Sequence, residues 1–233
     1  MVCLPGQRRG SSVGHDAMVP AMLADALTAD VADEVAAVFG DEVVFPRRLV
    51  VDDPQDEQRL FPGWPTPVLV ISHENQGVVS WGVPLGDPAP PVLVGGDLDD
   101  PQTELGTLVY APSVEAFITA RRWDRTCWSR EPLVQAQAQV LDEDVLAVLR
   151  ARFEEPPATR GWPGHTQYRF QRRGVTLMLW SGSRQCDWWL SGTDTETLAQ
   201  VVTDLMALSD LRETFWSNDL AGDALLREIR AGR

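Results

Sequence analysis

Histidine, cysteine and runs of carboxylate are the residue types through which this chain would do chemistry, and none is arranged for it. The three histidines, His15, His73 and His165, each stand apart. His73 followed by Glu74 suggests a metal ligand or a proton relay. A zinc-protease helix, however, needs a second histidine one turn later, and this pair falls at a turn. Ser72 and Ser80 lie close by without the GxSxG setting of an elbow nucleophile. Cys3, Cys127 and Cys186 have no CxxC partner and no adjacent histidine, which argues against a zinc site or a disulfide framework. The run Asp52 to Glu57 reads as a solvated loop. Asp97, Asp99 and Asp100 miss the EF-hand spacing, and they put acid where a phosphate-cradling loop needs lysine. No metal and no cofactor is expected. A hydrolase site assembled from distant segments is the alternative that spacing alone leaves open.

Composition narrows the partners. The net charge is −14, and all 20 basic residues are arginine, scattered as pairs such as Arg47 with Arg48 and Arg121 with Arg122. Without a basic stripe to displace counterions, nucleic-acid binding is not expected. An acidic surface instead speeds encounter with a basic protein, while a compositional bias that also keeps the chain soluble accounts for the same numbers. Nine tryptophans must be buried or must serve a binding face, and Trp189 and Trp216 are the first candidates for such a face. No apolar run reaches bilayer length and the first residues lack a secretory hydrophobic stretch, so a cytoplasmic protein is expected. Residues 1–17 read as a flexible tail, and Met18 is an alternative start.

The elements that would position any site read as α+β. From Met18 to Phe39, Val19, Leu23, Leu27, Val31, Val35 and Val38 follow helical spacing, with a break near Thr28 to Asp30. Val43 to Val51 reads as an extended edge, and Phe61 to Pro65 as an aromatic cover for an open sheet edge. Val68 to Ser72 and Val78 to Val83 form a hairpin around a polar turn, in which Asn75 suits a left-handed conformation or a bond to its own backbone, and Gly77 a positive φ. Val92 to Val94 and Thr107 to Tyr110 follow as strands, then a helix capped by Ser113. Pro132 to Val140 reads as a linker or a short polar helix. Beyond it a helix capped by Asp142, three strands, and a helix opened by a Thr193 and Glu196 capping box complete a second unit. The expected division is 1–17, 18–131 and 141–233.

Over residues 18 to 130 the chain resembles the SUKH superfamily of Smi/Knr-type domains. Glu74, Asn75, Gln76 and Gly77 in the turn, Trp81 and Gly82 in the second strand, and Asp87, Pro88 and Pro91 after it carry the likeness; Ala89 and an extra proline interrupt the usual Asp-Pro-Pro-Val order. The resemblance implies a mainly antiparallel sheet with a helix before and after it. It also implies action by binding: a bacterial immunity protein neutralising a cognate toxin, or a regulatory scaffold of the yeast cell-wall type.

Overall fold

The computed structural model describes residues 19, 21–96, 106–206, 211 and 214–232. The expected tail, the Asp97 to Asp100 calcium reading, Cys3 and His15 lie outside the described residues. The fold is α+β, with two antiparallel sheets of six and five strands. Among the described residues, no helix is long and apolar enough to cross a membrane.

Two short helices open the first half, α1 (Ala21–Ala26) and α2 (Ala29–Ala36), and the Thr28 hydroxyl accepts from the Val31 amide at the break between them. The expected single edge element is instead two two-residue strands, β1 (Glu42–Val43) and β2 (Val51–Asp52), both pairing with β3 (Val68–His73). The sheet continues through β4 (Val79–Pro84), β5 (Val92–Gly96) and β6 (Thr107–Ala111).

Apolar residues, most of them β-branched, bury both faces of this sheet. Leu69, Ile71, Val79, Trp81, Val83 and Val94 pack beneath the helices, while Val68, Val70 and Leu93 face the opposite side. Phe61 joins that second side, fully buried, so it covers a face and not the expected edge. Its ring occupies the space that the missing side chains of Gly82 and Gly95 leave.

Helix α3 (Val114–Trp128), capped by Ser113 as expected, turns Val114, Phe117 and Ile118 onto the first sheet. Leu133–Ala138, read from sequence as a linker or polar helix, is strand β7, the edge of the second sheet. Alternation explains the misreading: Val134 and Ala136 enter the core, whereas Gln135 and Gln137, which alternate with them, carry the polar content.

Helix α4 (Glu143–Arg152), capped by Asp142, is followed by β8 (Thr159–Arg160), β9 (Thr166–Arg172), β10 (Val175–Ser181) and β11 (Cys186–Gly192), in the order β7-β11-β10-β9-β8. The expected three strands are therefore flanked by two more. Helix α5 (Thr195–Met206) is capped by Asp194, whose carboxylate accepts from the Thr197 amide, and not by Thr193. Helix α6 (Leu220–Arg230) was not anticipated; the Asp219 carboxylate caps it and also accepts from the Leu133 amide of β7.

One face of the second sheet, with Phe170, Leu177, Leu179, Trp188 and Leu190, packs under α4, α5 and α6. The other face, with Met178 and Trp189, packs on Cys127 of α3. The two halves meet through that helix. Arg169 of β9 crosses to Asp124 of α3 with two hydrogen bonds of 2.7 and 2.8 Å. Its remaining nitrogen donates to Thr159 Oγ1 at 3.2 Å, and both partners are essentially buried.

Candidate functional site

Where the two sheets converge, an open cleft of about 520 Å³ is lined by aromatic rings and three charged side chains. One wall is the turn between β3 and β4. The Gly77 amide donates to the Glu74 carbonyl at 2.8 Å, and Gly77 adopts φ +73, which its lack of a Cβ permits. Glu74 Oε2 accepts from the Gln76 amide at 2.8 Å, so its carboxylate holds the turn closed from within. Asn75 does not take the expected left-handed conformation; its side-chain amide donates to the Phe39 carbonyl at 2.6 Å and ties the turn to the end of α2. Asn75, Gln76 and Gly77 are exposed, while Glu74 is buried.

The floor is ionic. Arg121 of α3 forms a salt bridge with Asp41, its Nε donates to the Val35 carbonyl at 3.2 Å, and its guanidinium lies 4.8 Å from the Phe39 ring centroid and 5.1 Å from that of Trp81. Both ionic side chains are about 2% exposed or less. The bridge uses one atom of each group, leaving Asp41 Oδ1 and Arg121 Nη1 buried without a hydrogen-bond partner, as is Trp81 Nε1. Each such atom costs roughly 1–3 kcal/mol. Burial raises the Asp41 pKa against the pull of Arg121; the nearby Glu74 carboxylate adds to the rise and the Asn75 backbone amide opposes it.

The remaining walls come from both halves. Trp128 and Trp180 stack with planes 10° apart, and Phe39 meets each edge-on with centroids 5.6 and 5.4 Å away. Trp162, from the connection between β8 and β9, lines the cleft beside them. Trp128 retains 37% exposure, so this aromatic surface reaches solvent.

Of the residues that carry the family resemblance, Glu74, Asn75, Gln76 and Trp81 line this cleft. Gly77 completes the turn, and Gly82 makes room for Phe61 on the far face of the sheet. Asp87, Pro88 and Pro91 form the connection from β4 to β5, where Asp87 Oδ1 accepts from the Ala89 amide at 2.9 Å. The two tryptophans proposed for a binding face part company. Trp189 is 7% exposed, buried against Cys127 and Trp180, and is not available to a partner. Trp216 is 40% exposed beside β7, where its backbone pairs with Gln135.

No family model, curated protein or solved structure matches this chain.

His73 and Ser80 face each other across β3 and β4, with Nδ1 and Oγ 2.7 Å apart. Glu42 sits opposite His73 on β1, but its carboxylate is engaged by Arg48. Burial lowers the His73 pKa, which favours a neutral ring tied to a buried hydroxyl; neither residue lines the cleft. Burial also pushes the Cys127 thiol up to about 11 and the Cys186 thiol up to about 12, so both stay protonated and unreactive near neutrality. Among the described residues no group of His, Cys, Asp and Glu is placed to hold a metal.

Sequence reasoning missed Asp41, Phe39, Trp162 and Trp180 as parts of one site. The available signal was Arg121, a permanently charged residue on the same helical stripe as Val114, Phe117 and Ile118. A cation on a core stripe demands a buried counter-ion, and the nearest acid after the α2 turn is Asp41.

Proposed function

We propose that the chain acts by binding another protein, as a SUKH-type immunity protein that occludes a cognate toxin of basic surface. The observation that carries the reading is the convergence of Glu74, Asn75, Gln76 and Trp81 on one solvent-open aromatic cleft. Exposed amides on a hydrogen-bonded turn, set beside large rings, are the ingredients of a recognition surface, in which rigid aromatics supply contact area and amides supply direction. The net charge of −14 supports a basic partner, because it accelerates encounter and disfavours acidic competitors. Occlusion of a toxin's active cleft requires no chemistry from the inhibitor.

The test is co-expression with toxin domains encoded by genes adjacent to this one, followed by pull-down at low and at near-molar salt. Rescue of growth with a complex that weakens as salt rises is the expected result, since screening shortens the reach of surface charge. Failure to rescue, or failure to form a complex at low salt, overturns the reading.

A further inference from the structure

We infer that the cleft between the two sheets is an anchor pocket for one peptide-borne guanidinium, an arginine side chain projecting from the basic partner. The inference rests on the binding reading above and gives it a chemistry. Two carboxylates, Asp41 and Glu74, line the cleft against the single guanidinium of Arg121, so the pocket carries an excess of negative charge. The ionic floor leaves an acceptor without a formed hydrogen bond: Asp41 Oδ1 is buried on a side chain only 1% exposed, with the Asn75 backbone amide close enough to favour the charged carboxylate.

Above the floor, Trp128, Trp162 and Trp180 supply ring surface. Arg121 already demonstrates the mode of binding, since its planar cation rests against Phe39 and Trp81. A planar cation stacks on indole and loses less hydration than an ammonium, which favours arginine over lysine. Arg121 Nη1, the unpartnered donor of the floor, calls for a carbonyl oxygen. A side chain delivered on a peptide brings backbone carbonyls with it; a free amine does not. An anionic occupant would gain Arg121 Nη1 but would meet both carboxylates, and an uncharged one would leave the excess charge uncompensated.

The full chain is titrated with N-acetyl-arginine methylamide, with the lysine analogue and with the uncharged citrulline analogue, while the indole N–H signals and the tryptophan fluorescence are followed. Saturable shifts confined to the cleft indoles, with the arginine probe binding roughly tenfold more tightly than the citrulline probe, are expected. Asp41→Asn should abolish that preference. Because this substitution disturbs a buried pair, Trp128→Leu provides a second reading at the rim and should weaken the arginine probe by roughly fivefold with the fold intact. Equal binding of arginine and citrulline probes, or binding unchanged in Trp128→Leu, overturns the pocket. Tighter binding of the lysine probe overturns the choice of a planar cation. A toxin complex that forms while no probe binds overturns this inference alone; probe binding without any toxin complex overturns the reading above and leaves the pocket standing.

Discussion

Asp124 on α3 and Arg169 on β9 join the two sheets through a bidentate ion pair that is almost wholly removed from solvent. The guanidinium is satisfied on its other side by Thr159, so the pair is complete, unlike Asp41 with Arg121. Removing one member strands a buried charge, which costs about 3–5 kcal/mol. Asp124→Ala should therefore lower the urea midpoint sharply, whereas Asp124→Leu combined with Arg169→Met should recover most of the loss. A double variant no more stable than the single one would contradict this account.

Phe61 fills the space above two glycines, and the two should respond differently to a methyl group. A Cβ on Gly82 would lie 2.5 Å from a Val68 methyl and 2.6 Å from the Phe61 ring; on Gly95 it would lie 2.3 Å from the Leu60 carbonyl. Overpacking of this kind costs about 1–3 kcal/mol. Phe61→Leu should partly rescue Gly82→Ala by shortening the ring that is struck. It should not rescue Gly95→Ala, because a backbone oxygen cannot be trimmed. Thermal midpoints of the three single and two double variants would decide the matter.

Asp41 gives the cleft a pH signature. Its pKa is raised above the ordinary 3.8, chiefly by burial, so the folded chain keeps the proton after the unfolded chain has released it. That contribution to stability is present in full below 3.8 and is lost as pH rises through the folded value. The difference in unfolding free energy between the native chain and Asp41→Asn should therefore slope across this window and level off above it. Parallel curves for the two proteins throughout would remove the basis for a raised value.

Trp189 and Trp216 look alike in sequence but should behave as opposites on truncation. Trp189→Ala opens a hole between α3 and the second sheet and should cost about 3–5 kcal/mol. Trp216→Ala removes a ring that is 40% exposed and should cost under about 1 kcal/mol. Chemical denaturation of both variants measures the contrast, and a cost at Trp189 as small as that expected at Trp216 would mean that Trp189 is not a packing residue.

The strands and caps that sequence made legible share a short-range cause. Thr28, Ser113 and Asp142 cap the helices they precede, and the β-branched run from Val68 pairs across a turn only five residues long. Elements that depend on distant partners were opaque. Leu133–Ala138 becomes a strand because β11 offers it an edge, and α6 exists because Leu225 and Leu226 find the second core. The cleft itself was not legible: Glu74, Asn75 and Gln76 were marked as turn residues and Trp81 by the family resemblance, but none of them as the lining of a shared site. Asp41, Trp162 and Trp180 reach the same place from remote segments, and nothing in their own neighbourhoods announces it.

Helix α3 is the roof of one sheet and the floor of the other. Neither half can then be exchanged as a cassette: severing the chain after Trp128 would bare Met178 and Trp189 on one fragment and leave Asp124 without its counter-ion on the other. Heat or denaturant should in consequence dissolve both halves in a single event.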